Sequence, residues 1–388
     1  LVLARLPDAP AGTKGISLFL VPKFLVNEDG SLGPRNDLIC TVLEHKLGIH
    51  ASPTCSMSFG EKGGAIGWLV GEENRGLNCM FTMMNHARIG VGLEGVALAE
   101  RAYQQALTFA QERKQGRAST TERGERAAII EHPDVRRMLL TMESSIQAMR
   151  RLIYATAAAI DVAEHHPDAD VRARNDEIAA LFTPLAKAWS TDTGFEMASL
   201  AVQIHGGMGF VEETGAAQHL RDARILPIYE GTNGIQARDL VGRKVTKDGG
   251  ETMLGLVAEM RALVGELKKA PGDDLAAIAS GLESAASALE DATRWVAGTA
   301  ARDLTNALAG SVPFLRLAGT ALGGWLLAKS ALVAQQRLAT RDGDPKFLEA
   351  KVVTTRFYAE VILPPALAQL GPLKAAGRTV FALTEEQF

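Results

Sequence analysis

Three absences narrow this 388-residue chain first. It has three cysteines, Cys40, Cys55 and Cys79, with no C-x-x-C spacing. That argues against a disulfide framework or a structural zinc site and for a reducing compartment. It has no long stretch where Lys and Arg gather, and the formal net charge is −4. Nucleic acid is therefore not an expected partner. It has no apolar run of membrane-spanning length. The longest, Leu317–Ala328, is twelve residues, against roughly 20 for a span, and reads as a buried helix. No signal-peptide pattern is present. The pair His165-His166 lies beside Pro167-Asp168 in a loop and is not expected to bind metal.

What the chain does have is a change of period. Residues 1–75 read as β-structure. Gly15–Val21 is a β-rich run stopped by Pro22, and Cys55–Phe59 alternates apolar with polar. Asn27–Gly30 and Glu61–Gly64 read as turns. After Gly76 the period becomes helical. Gly92, Val96, Ala99, Tyr103, Ala106 and Ala110 share one face, and Leu139, Met142, Ile146, Met149 and Ile153 another. Asp176 to about His205 predicts a third helix, and Gly231–Lys244 opens a fourth, which suggests an antiparallel bundle. Lys247–Gly250 marks a boundary. Beyond it, helices are expected over roughly 251–269, 273–300, 314–340 and 344–363, packed on the bundle. The expected organisation is thus 1–75, 76–247 and 248–388. The fold class is α+β and mainly α: a partial barrel-like β-domain, a four-helix bundle and a second helical domain. The stretch 111–126 is charged and without apolar rhythm, a loop. The chain opens on Leu1-Val-Leu-Ala, as if inside a strand, and reads as a fragment or a processed chain.

Two segments concentrate the chemistry. Gln203-Ile-His-Gly-Gly-Met-Gly-Phe210 is rich in glycine, and Arg221–Gln236 contains Tyr229-Glu-Gly-Thr232. Gly206, Gly207 and Gly209 let backbone approach a flat or phosphorylated ligand. Glu230, flanked by Tyr229 and Gly231, is a carboxylate in a crowded, partly apolar setting that suits a general base.

Together these segments resemble the C-terminal signature of the acyl-CoA dehydrogenase flavoenzymes, and the resemblance covers residues 1 to about 245. It implies FAD as cofactor, an acyl-CoA thioester as substrate and an electron-transfer flavoprotein as electron acceptor. It implies that Glu230 takes the substrate α-proton while its backbone N–H helps hold the thioester carbonyl charge. Some family members carry this acid on the first bundle helix, but the matching position here is Ala87, which cannot act as a base. Gln203, Gly206, Gly207, Thr232 and Arg113 match flavin-phosphate and adenosine contacts, several of which reach a neighbouring subunit's flavin. Asn85, Arg88 and Gly231 match substrate contacts. Arg88 also fits a buried ion partner, and His205 a satisfied structural histidine. Met83 and Met84 line either core or the acyl pocket. The 111–126 loop is long for the family, as by an insertion after Arg117. The segment after Gly250 is an extension found in a bacterial branch that includes broad-specificity acyl-CoA dehydrogenases and the 3-methylmercaptopropionyl-CoA enzyme. A homodimer in a bacterial cytoplasm, rather than a mitochondrial matrix protein, is expected. The competing functions are an acyl-CoA oxidase and a non-catalytic flavoprotein relative that binds nucleic acid.

Overall fold

The computed structural model describes residues 1–118 and 125–388, which divide into two compact units, Leu1–Ala87 and Arg88–Phe388. In the first unit, seven short strands form three small antiparallel sheets rather than one curved sheet. Strand β2 (Ser17–Leu20) is central between β1 (Val2–Ala4) and β7 (Trp68–Val70), with Leu18 opposite both Leu3 and Val70. Strands β3 (Phe24–Val26) and β4 (Leu32–Arg35) pair, as do β5 (Leu38–Leu43) and β6 (Cys55–Phe59). Both pairs carry a register irregularity. Asn36 cross-links this unit. Its amide donates to the Pro22 and Ile66 carbonyls at 2.9 and 2.8 Å and accepts from the Ile66 N–H at 2.9 Å.

Helix α1 (Gly76–Glu112) starts in the first unit and runs on into the second. The second unit is otherwise helical. It holds α2 (Pro133–His165), α3 (Ala169–His205), α4 (Ala216–Ala223) and α5 (Asn233–Asp239). These are followed by α6 (Glu251–Lys269), α7 (Asp273–Ala300), α8 (Leu304–Ala309), α9 (Ser311–Thr340), α10 (Pro345–Phe357), α11 (Leu363–Leu367) and α12 (Leu370–Thr379). Asp168 caps α3, its carboxylate taking the Asp170 N–H at 2.8 Å. The expected fourth bundle helix is short. It is regular only over Asn233–Asp239 and then widens into a π-turn over Leu240–Lys244.

Glycine sets the spacing of α1 on α3. A methyl on Gly92 would lie 2.5 Å from the Ala186 carbonyl oxygen, and one on Gly194 would lie 2.6 Å from that of Gly95. The two backbones touch, which a larger residue at either place would prevent. The same device seats α9 on α3, where a methyl on Gly319 would meet the Trp189 ring at 2.4 Å. The Trp189 indole N–H then donates to Thr320 Oγ1 at 3.1 Å, so a buried donor is satisfied at the contact.

One hydrophobic cluster runs through the second unit, joining Met142, Met149 and Leu185 to Leu256, Leu289, Phe314 and Leu322. Phe314, Leu315, Leu322 and Trp325 are buried, and Trp295 and Leu326 pack partly buried against them. The run Leu317–Ala328 falls inside α9. This helix is long and apolar enough to cross a membrane, but 78% of its most apolar window is buried within the protein.

Candidate active site

The segment that carries Glu230 leaves the end of α4 through tight turns. Its residue geometry is unusual: Glu230 has φ 55° and Gly231 φ 84°. A left-handed pair suits glycine and strains a residue with a Cβ. The turn ends at Thr232, which caps α5 by accepting the Ile235 N–H at 3.4 Å.

Buried polar groups surround this turn. The Lys187 side chain, fully buried on α3, donates from Nζ to the Gly231 carbonyl at 2.9 Å and to Asn233 Oδ1 at 2.8 Å. Gln236, fully buried on α5, donates from Nε2 toward the carbonyls of Glu230 (3.3 Å) and Gly231 (3.5 Å). Arg88 is 6% exposed and faces Asp239 at 3.8 Å, and Asp239 also pairs with Arg243 at 2.6 Å. The Tyr229 hydroxyl donates to the Glu94 carboxylate. Burial pulls the Lys187 ammonium down to about 8. Asp192 pulls the other way, Arg88 adds to the lowering, and Glu230 opposes it. The Glu230 carboxylate is half-buried and acts electrostatically on both Lys187 and Arg88. The turn thus sets one carboxylate beside two buried cations.

A separate cavity of about 600 Å³ opens at the end of α3. Arg113, Gln115, Gly116, His132, Gly206 and Gly207 are among its lining residues. A methyl on Gly206 or Gly207 would meet nothing within 4 Å, so their backbone faces open space. Arg113 is exposed, its guanidinium 3.3 Å from Gln115 Oε1. The loop that supplies Arg113 is pinned at its base. Gln115 N–H donates to the Ala127 carbonyl at 2.9 Å, and Ala127 N–H to that of Gly116 at 3.1 Å. Residues 119–124, where the insertion after Arg117 is expected, lie outside the described residues. His205 is buried at the cavity wall, its Nδ1 2.7 Å from the Ala201 carbonyl and its ring stacked on Phe109 at 4.5 Å.

Residues 74–245 match the model of the acyl-CoA dehydrogenase C-terminal domain, and residues 256–384 that of the acetyl-CoA dehydrogenase C-terminal-like domain. The chain is 50% identical over 369 residues to the 3-methylmercaptopropionyl-CoA dehydrogenase of Ruegeria pomeroyi, covering 95% of this chain and 62% of that one. The chain belongs to the acyl-CoA dehydrogenase family. It is also 36% identical to a butyryl-CoA dehydrogenase of Syntrophomonas wolfei, over all of this chain and 64% of that one. It therefore spans about three fifths of the length of these relatives. In fold it matches Caenorhabditis elegans ACDH-11, solved with C11-CoA, at a TM-score of 0.74 and 21% identity over 99% of this chain and 60% of that one. It also matches an acyl-CoA dehydrogenase of Bacillus anthracis, solved with FAD, at a TM-score of 0.70 and 20% identity over all of this chain and 62% of that one.

The residues singled out from the family signature fall in three places. Glu230, Gly231, Thr232 and Arg88 gather at the left-handed turn. Arg113, Gly206 and Gly207 line the cavity at the end of α3, with Gln203 exposed on the last turn of that helix, where its carbonyl accepts the Gly206 N–H. Asn85 and Ala87 lie on α1 within the first unit, Asn85 exposed. Arg88 is an ion partner of Asp239. Sequence reasoning missed Lys187, Asn233, Gln236 and Asp239. The available signal was a lone lysine in the apolar run Leu185-Ala-Lys-Ala-Trp189, a position where an unpaired charge would be costly.

Proposed function

We propose that the protein carrying this chain catalyses FAD-dependent α,β-dehydrogenation of an acyl-CoA thioester, with Glu230 as the base. The observation that carries this reading is a half-buried carboxylate in a left-handed turn beside two buried cations, within the segment that matches the family's C-terminal domain. FAD, when bound, supplies the hydride acceptor that protein side chains lack. The residues of the cavity at the end of α3 suit an anionic diphosphate. Arg113 brings a guanidinium, and Gly206 and Gly207 bring backbone open to space.

Glu230 would accept the α-proton on its carboxylate. Its own N–H would be a donor for charge developing on the thioester oxygen. Asn85, Arg88 and Gly231 would orient the thioester, and Thr232 and Gln203 the cofactor's phosphates. An electron-transfer flavoprotein is the proposed electron acceptor and a homodimer the proposed assembly. Light scattering of the full-length protein checks the assembly, a stable tetramer being the result against it. Oxygen consumption with acyl-CoA distinguishes this reading from an oxidase.

The decisive test is Glu230→Gln in the full-length protein. The amide keeps volume but cannot take a proton. Stopped-flow flavin reduction by acyl-CoA should slow by about 10²–10⁴-fold or more with flavin retained. Reduction at the wild-type rate refutes the assignment.

A further inference from the structure

We infer that Lys187 is a positioning residue for Glu230, gripping the backbone of the left-handed turn from α3. The inference rests on the reading of Glu230 as the base. The Glu230–Gly231 turn directs two carbonyl groups into the protein, and buried carbonyls require donors. Lys187 and Gln236, neither accessible to solvent, are those donors. Lys187 reaches across 44 positions of sequence, and its second bond, to Asn233 Oδ1, extends the grip to the first residue of α5. Asn233 is tied back to α3 through Nδ2, at 3.1 Å to the Ala188 carbonyl, 2.9 Å to Thr191 Oγ1 and 2.7 Å to Asp192 Oδ1. The turn is thus clamped to one helix at Gly231 and at Asn233, on the C-terminal side of Glu230.

The choice of lysine is informative. Its two hydrogen-bonding partners here are a carbonyl and a carboxamide oxygen, with the nearby Asp192 reached through Asn233. Burying an ammonium this way is costly, and an apolar side chain of similar length would pack at less cost. The cation supplies what such a side chain lacks: two donors aimed at a strained turn. Burial lowers its proton affinity to about 8, with Asp192 and Glu230 opposing and Arg88 reinforcing the shift, so the cost is visible in its titration. A neutral amine still donates two hydrogen bonds, so the grip survives deprotonation. Release of the Gly231 carbonyl would let the 231–232 peptide rotate, and the turn that fixes Glu230 from its C-terminal side would slacken and let the carboxylate shift. A displacement of roughly 1 Å at a reacting group is enough for a loss on the order of 10²-fold.

The test uses the FAD-loaded full-length protein and whichever C4 to C18 acyl-CoA the wild type reduces fastest. Lys187→Met should slow single-turnover flavin reduction by about 10- to 100-fold. Flavin content and acyl-CoA Kd should stay near wild type, and amide exchange over residues 229–236 should quicken. In a Glu230→Gln background Lys187→Met should add no further loss of rate, because the group it positions is already gone. Asn233→Ser, which frees one end of the clamp, should show the same pattern more weakly, and it decides the matter if Lys187→Met does not fold. Wild-type reduction rates in the folded variant, or a loss confined to Kd or flavin content, overturn the inference. If Glu230→Gln reduces flavin normally, the base assignment falls while the exchange data still report the clamp. If Glu230→Gln is inert and Lys187→Met is fast, only the role of Lys187 falls.

Discussion

Glu230 differs from the other acidic residues of the second unit in its backbone: among the described residues, the non-glycine residues with positive φ are Ile49, Asn74, Glu230 and Arg341. Its neighbour Gly231 is equally constrained. A methyl there would stand 2.8 Å from Gln236 Nε2, at a φ of 84° that L side chains resist. Gly231→Ala is expected to cost on the order of 1–3 kcal/mol of stability and to slow flavin reduction. Thermal melting and stopped flow on one preparation check both. Lys187 makes a pH prediction with a definite sign. Its folded value, about 8, lies below its ordinary value of 10.5. Below pH 8 both folded and unfolded chains carry the charge, and the burial cost is borne in full. Between about 8 and 10.5 the folded chain releases the proton first, so stability gains with rising pH. Denaturant melts at pH 7 and 9.5 should show wild type gaining on Lys187→Met across that interval, and equal pH dependence of the two would count against a buried, depressed ammonium.

Helices in this protein approach one another through glycine, and that fixes where the site residues stand. The Gly92/Ala186 and Gly95/Gly194 contacts bring α1 and α3 to backbone distance, which puts Arg88 and Lys187 on adjoining helices beside one turn. Gly319→Ala should destabilise by about 1–3 kcal/mol through overpacking on Trp189, read as a lowered denaturation midpoint with an unchanged slope. Strands are the weaker elements. Leu18 is the one buried hydrophobic side chain described in the first unit, whereas Leu3, Leu20, Met57 and Trp68 are exposed on its strands. Amides of β1–β7 should therefore exchange with solvent sooner than those of α2, α3 and α9, because local opening follows from sparse apolar burial. Mass-resolved hydrogen exchange gives the order directly.

At the scale of the whole second unit, the bundle and the helices beyond Gly250 share one hydrophobic cluster. Each buried large side chain in it contributes roughly 1.5–3 kcal/mol. Phe314, Leu322 and Trp325 therefore support the bundle they cover as much as their own helix. A protein ending at Gly250 should expose the Trp189 face of α3, bind a hydrophobic dye and aggregate. A soluble, cooperatively melting truncation would show that the bundle is self-sufficient.

Much of this protein was determined by short-range pattern. Alternation placed β6 and apolar rhythm placed α1 and α2, because a face that must be buried repeats at the period of its element; α6, α7 and α9 were marked by Ala- and Leu-rich composition between Pro and Gly breaks, and α3 starts at Ala169, seven residues before the expected Asp176. The Tyr229-Glu-Gly-Thr232 segment marked the base candidate through its crowded, glycine-flanked setting and its resemblance to the family signature. The bounds of α4, α8 and α12 were not legible, being too short for a period to declare itself. Nor was the early end of α5, where the helix widens over 240–244. The conformation of Glu230, the Arg88–Asp239 pair and the hold of Lys187 on Gly231 were decided only by tertiary structure. Periodicity tells which side chains leave water. It does not tell which polar groups meet there, since those partners lie tens of residues apart and are chosen by how closely the helices can approach.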